Sequence, residues 1–160
     1  MIRFEKLAEK VNSAQVVEVK TKREDARRGR MRTRTSDGED LVIDLPRGAA
    51  INDKDIFGPS QKGRYYIISI EPEPVVKVSL KKSEAAKDIE NALRLGYSLG
   101  NHHLEVLVEG DAAYVPVTIA EEKIREILRR SGLPLQVEAQ QRVISAAASG
   151  YYAGEEEEHV

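Results

Sequence analysis

The sequence predicts an α+β protein, in which a β-rich N-terminal domain precedes a second domain of order βαββαβ. Three observations point there. The first seventy residues carry strand-like runs punctuated by Gly and Pro turn signals. Glu71-Pro72-Glu73-Pro74 then places two prolines in four residues, which stiffens the chain and removes ladder donors, as a linker would. Beyond it, short strand-like runs alternate with two stretches whose apolar residues recur at helical spacing.

In chain order, Gln15 to Thr21 (QVVEVKT) reads as a strand, and Gly29 to Thr35 alternates basic side chains with Met31, Thr33 and Thr35. Ser36-Asp37-Gly38 is a turn signal, because Gly takes the positive φ that hairpins demand. Leu41, Ile43 and Leu45 alternate with Val42 and Asp44 as a half-buried strand should, and Pro46-Arg47-Gly48 ends that run. Arg64 to Ile70 (RYYIISI) supplies another strand. A small β-sandwich or open barrel is the natural assembly.

Val75 to Leu80 opens the second half as a strand. A helix follows from about Ser83, with Ala85, Ile89, Ala92 and Leu93 on one stripe, and ends near Gly100-Asn101, residue types suited to a left-handed cap. Leu104 to Glu109 reads as a strand, Gly110-Asp111 as a turn, and Ala113 to Val117 as the returning strand. Thr118 and Glu121 form a capping box for a second helix with Ala120, Ile124, Ile127 and Leu128 on its apolar stripe. Ser131-Gly132 ends it, and Leu135 to Ala139 is a last strand. This βαββαβ order is the split arrangement of ferredoxin-like domains. The expected domains are 1–72, β-rich, and 75–146, ferredoxin-like. Residues 147–160 form an expected flexible acidic tail.

Composition narrows the chemistry. The chain has 160 residues, 41% apolar and 32% charged, with two Phe, six Tyr and no Trp, so the cores must rest on Ile, Val, Leu and Ala. The absence of cysteine excludes disulfides, thiolate metal sites and thiol catalysis. The N-terminus lacks the apolar run of a signal peptide, and no stretch approaches the roughly 18 apolar residues of a membrane span. A soluble, cytoplasmic protein is expected. Lys20 to Arg34 holds eight basic residues against Glu24 and Asp25, and Glu155 to Glu158 holds four acids. Either block reads as an interaction surface or as a solvated face. There is no phosphate loop, no Ser-His-Asp context and no marked carboxylate pair, so an enzyme is not expected.

Only His102, His103 and His159 carry imidazole. His102 and His103 sit where the first helix of the second domain meets a strand, and neighbours in an extended segment point to opposite sides. They read either as ordinary loop histidines or as ligands. One chain offers few donors, but a two-fold axis turns one histidine into a pair. Imidazole suits nickel, copper or zinc, and residue type alone does not choose among them.

Leu95-Gly96-Tyr97-Ser98-Leu99-Gly100-Asn101-His102-His103 resembles the Gly-Asn-Arg-His motif region of the UreE family of urease accessory nickel metallochaperones. Arg30 to Gly38, Ile43 to Gly48 and Glu71 to Val75 are similar to that family's N-terminal domain and linker. The resemblance covers roughly residues 16 to 143, and four short motifs in the same order and spacing make it specific. The resemblance implies partner or peptide binding by domain 1–72 and, through domain 75–146, a dimer that binds Ni²⁺ as cargo at its interface, with Zn²⁺ or Cu²⁺ as competitors. It makes His103 the interfacial ligand and sets His102 where the family has Arg, as a spare ligand or a solvated replacement. It also implies delivery of Ni²⁺ to the urease active site. The partners would be a second copy of the chain as a homodimer, a tetramer as a further option, the urease apoprotein and other maturation factors. Ala120-Glu121-Glu122 stands where many relatives carry His-x-His, so a metal role for Glu122 would be through oxygen. His159, with Glu155 to Glu158, would either complete the coordination shell or belong to a solubilising tail.

Two other readings compete. An RNA-binding protein would use the basic segment 20–34 against phosphates, yet the strand His103 to Glu109 lacks stacking aromatics. A metal-independent adaptor would dock acidic partners through the same basic segment. The favoured reading involves neither nucleic acid nor membrane.

Overall fold

The computed structural model describes residues 1–12 and 15–145. Among these the chain forms two compact units, Met1–Glu71 together with Val143–Ser145, and Pro72–Arg142. The predicted acidic tail, 147–160, lies outside the described residues, and His159 with it.

In the first unit, β1 (Ile2–Phe4) pairs parallel to β4 (Asp40–Asp44), and β3 (Arg30–Arg34) pairs antiparallel to β4. A second three-stranded sheet places β6 (Tyr65–Ile70) between β2 (Val16–Thr21), parallel to it, and β5 (Ile56–Phe57), antiparallel. Leu41 and Ile43 from the first sheet and Val19, Phe57, Tyr66, Ile68 and Ile70 from the second share one buried cluster. Of the two expected assemblies, sandwich and open barrel, this is the sandwich, with aliphatic side chains supplying most of the core. Phe4 joins the sheets through ring contacts with Phe57 and Tyr66, at centroid distances of 6.2 and 5.8 Å.

The predicted Ser36-Asp37-Gly38 turn joins β3 to β4. Gly38 has φ +92°, its amide donates to the Thr35 carbonyl at 3.0 Å, and Glu39 N–H donates to the Thr35 hydroxyl at 2.9 Å. The Thr35 hydroxyl, then Arg64, holds the Asp37 carboxyl below the usual carboxylate range. Arg64 ion-pairs with Asp37 and Glu39, and the Tyr66 hydroxyl donates to Glu39 at 3.0 Å.

A short helix, α1 (Arg23–Arg27), interrupts the basic segment. Its five residues are too few and too charged to show a helical period in the sequence. Gly29 follows at φ +68°, where a Cβ would lie 2.2 Å from the Ala49 carbonyl oxygen. Gly29→Ala is expected to destabilise the first unit by about 3 kcal/mol, because it adds a backbone clash to left-handed strain. At Gly38 a Cβ would meet nothing within 4 Å. Gly38→Ala should lose only about 1 kcal/mol, so chemical denaturation of the two variants side by side isolates the clash.

The block Lys20–Arg34 is not a bare cationic face. Arg30, Arg32 and Arg34 point outward in alternation with Met31 and Thr33. Arg30 pairs with Asp44 at 3.0 Å, and Arg28 with Glu24 at 3.4 Å. Arg32 grips Asp40 with Nε at 3.3 Å and Nη2 at 2.8 Å, a diagonal cross-strand fork. That hydrogen bond holds the Asp40 carboxyl below the usual range.

The second unit has the order β7 (Glu73–Leu80), α2 (Ala85–Asn101), β8 (Leu107–Glu109), β9 (Ala112–Pro116), α3 (Glu121–Arg130) and β10 (Leu135–Arg142). Its sheet runs β10-β7-β9-β8, antiparallel throughout, which is the ferredoxin-like arrangement predicted. Val76, Val78, Ala113 and Val115 meet Leu95 and Leu99 of α2 and Ile124 and Leu128 of α3 in one buried cluster.

Four local expectations need correction. Glu73 and Pro74 belong to β7 rather than to a free linker, paired with Arg142 and Gln141. Strand β8 is shorter than Leu104 to Glu109 and lies at an edge of the sheet, since β7 and β9 hold its centre. Thr118 and Glu121 form no capping box: α3 starts at Glu121 after Ala120, with no side-chain cap. Glu121 instead accepts from Arg125, one turn on, at 2.9 Å. Finally, α2 presses Asn91, Leu95 and Leu99 inward, while the stripe Ala85, Ile89, Ala92 and Leu93 faces outward.

Candidate metal centre

The end of α2 builds the site. The helix runs through Gly100 and Asn101, and the left-handed residue is His103, at φ +55°, with His102 before it at φ −92°, ψ 7°. His103 N–H donates to the Gly100 carbonyl at 3.0 Å and Leu104 N–H to the Leu99 carbonyl at 3.2 Å. These two bonds define a Schellman cap, which needs an apolar pair bracketing the turn. Leu99 and Leu104, both buried, are that pair. A cap with Gly100 or Asn101 left-handed would put Asn101 or His102 where Leu104 stands. Burial of the leucines therefore sets the register, and glycine preference gives way to it. The five-residue spacing of Leu99 and Leu104 is the sequence signal that marks His103.

Both histidine side chains are exposed. They lie in a tight turn rather than the expected extended segment, so they need not face opposite sides. His102 Nδ1 lies 2.8 Å from the Ser98 carbonyl oxygen. No basic residue occupies the last turn of α2, where the helix dipole places partial negative charge. Among the described residues, no group of three or more His, Asp or Glu comes together that could hold a metal. Glu122 lies on α3, 3.9 Å from Arg129.

Next to the site is an apolar face that one chain leaves uncovered. Ile89, Leu93 and Tyr97 follow one another at four-residue spacing on α2 and are 64%, 72% and 75% exposed. Val108, 73% exposed, lies on the same side of the sheet, since it pairs with Ala113 of the helix-covered core. Gly96 and Gly100 complete the face, and a Cβ on either would meet nothing within 4 Å.

No described helix is long and apolar enough to cross a membrane. Tyr114, the aromatic residue of the central strands, is buried with the Arg142 guanidinium 3.8 Å from its ring centroid.

Comparison with known proteins agrees with this architecture. Residues 3–70 match the family model described as UreE urease accessory protein, N-terminal domain, and residues 73–160 match its C-terminal domain. The urease accessory protein UreE of Yersinia bercovieri is 30% identical over 112 residues, covering 68% of this chain and 49% of that protein. The UreE of Yersinia kristensenii is 29% identical over the same length, with the same shares. The chain spans about half the length of the curated relatives it matches. With both domain models matched in order along the sequence, the chain belongs to the UreE family of urease accessory proteins, an accessory family and not an enzyme family.

Proposed function

We propose that this chain is a nickel metallochaperone that binds Ni²⁺ as cargo and delivers it for assembly of the urease active site. It works as a homodimer in the cytoplasm, with His103 of each copy on one ion. The observation that carries this reading is the uncovered apolar face of α2, which leads directly into the histidine turn. An isologous contact through that face brings two copies of the turn together. Each large apolar side chain covered contributes about 1.5–3 kcal/mol.

Gly96 and Gly100 support the same contact. Glycine inside a helix costs about 1 kcal/mol relative to alanine, and a single chain puts no atom where either Cβ would stand. A closely packed second helix gives both residues a use. Two α2 C-termini facing one another also concentrate partial negative charge, which favours a cation. Imidazole donors suit Ni²⁺ and equally admit Cu²⁺ or Zn²⁺ as competitors. Docking on the urease apoprotein and the other maturation factors falls to the first unit. That unit offers a groove lined by Ile2, Phe4, Glu39, Asp40 and Pro59. The comparisons lend no support to RNA binding or to a metal-independent adaptor. Paired arginines on β3 and a covered Tyr114 favour neither.

Calorimetric titration of the full chain with Ni²⁺, run with a mass measurement, tests this. One ion per two chains is expected, and His103→Ala should weaken binding by about 100-fold or more, the upper end of losses at metal-site partners. Tight binding unchanged in His103→Ala would remove His103 as the ligand.

A further inference from the structure

We propose that His102 is a second metal-ligating imidazole, pre-set by the end of α2, so that a dimer presents four imidazoles to the ion. This rests on the reading of His103 given above and deepens it. A carbonyl oxygen only accepts, so the 2.8 Å contact with Ser98 places the ring proton on Nδ1 of His102. A neutral imidazole with its proton on Nδ1 has its ligating lone pair on Nε2.

Metal-bound histidines almost always donate their other ring N–H to a carbonyl or carboxylate, which fixes the tautomer and orients the ring. His102 holds that arrangement before any metal arrives. Its acceptor is not a movable side chain but a backbone carbonyl in the last turn of the helix. The His102 backbone N–H reaches the same oxygen at 3.3 Å, so ring and backbone are anchored on one atom. The ring is exposed, and among the described residues Nε2 has no hydrogen-bond or ionic partner. His103, the next residue, is set by the Schellman cap, so both rings leave one rigid turn.

The ligand class follows from the donors. Imidazole nitrogens suit Ni²⁺, Cu²⁺ and Zn²⁺, and a set of four suits the square-planar or tetragonal geometry of Ni²⁺ and Cu²⁺. Mg²⁺ and Ca²⁺, which prefer oxygen, have little to gain there.

Long-range ¹H–¹⁵N correlation of the imidazoles in the metal-free full chain reads the tautomer. His102 is expected with its proton on Nδ1, and a proton on Nε2 would overturn the proposal. Zn²⁺, a diamagnetic probe, should then shift the Nε2 resonance of His102 together with a ring nitrogen of His103. Nickel titration of His102→Ala and His102→Asn is expected to show a loss of about tenfold or more, with the fold intact by circular dichroism. Asparagine is a residue type that helix ends tolerate and keeps the variant interpretable if alanine disturbs the cap. If both His102 variants bind as the wild type while His103→Ala does not, the His102 proposal fails and the His103 reading stands. If His103→Ala binds normally and the His102 variants do not, His102 is kept as a ligand and the His103 reading falls.

Discussion

Leu93→Asp is expected to yield folded, monomeric chains whose nickel affinity falls as far as it does when His103 itself is lost. Leu93 touches no predicted ligand and is 72% exposed in the single chain. In a monomer such a surface change should stay within about 0.5 kcal/mol. In a symmetric dimer it acts twice. Each leucine withdrawn from a covered interface forfeits about 1.5–3 kcal/mol, and two carboxylates are then forced towards one another out of water. Sedimentation or light scattering should show the halved mass, circular dichroism an unchanged fold, and calorimetry the lost nickel site. A Leu93→Asp protein that stays dimeric and binds nickel normally would show that α2 is not the interface. Gly96 and Gly100 would then lack a structural use.

The second large effect has opposite signs in stability and in binding. His103→Gly should remove the nickel site and also make the metal-free protein more stable. A non-glycine residue in the left-handed region carries about 1–2 kcal/mol of strain, and His103 sits there at φ +55°. Glycine relieves that strain but adds freedom to the unfolded chain, which returns about 0.4–1 kcal/mol. A net gain of about 1 kcal/mol is expected, or roughly 2–4 °C in the midpoint for a chain of this size. Thermal unfolding without metal, beside His103→Ala, makes the comparison. Alanine loses the ligand and keeps the strain, so only glycine should raise the midpoint. If glycine gives no gain, strain at His103 is absent and its backbone geometry is not a sign of function.

How much of this was legible beforehand differs by element. The β7-to-β10 order was readable because every element but the three-residue β8 is long enough to show its period, and Gly110-Asp111 marks the turn after β8. The Gly38 hairpin was readable for the same local reason. The missed elements, β1, α1 and β5, span three, five and two residues, too short for any period. Parallel pairing of β1 with β4 and of β2 with β6 is a long-range choice that no window contains. On α2 two apolar stripes compete, and sequence pattern does not say which one meets the sheet. Leu95 and Leu99 win because the same helix must also bury the Leu104 anchor beyond its end. The histidines were visible as residue types. The left-handed backbone of His103 and the Ser98 carbonyl beneath His102 were not, because both follow from where that cap falls.

The return of Val143–Ser145 to the first unit has a consequence for synthesis on the ribosome. Ile144 is buried, Ser145 donates to Asn52 at 3.1 Å, and its hydroxyl accepts from the Asp53 amide at 3.4 Å. In chain terms the second unit is an insertion between two pieces of the first. The N-terminal unit is therefore begun first but is not complete until residue 145 has emerged. The inserted unit, continuous from 72 to 142, has all of its strands earlier. A fragment cut at residue 72 would lack Ile144 and Ser145, a part of its own fold.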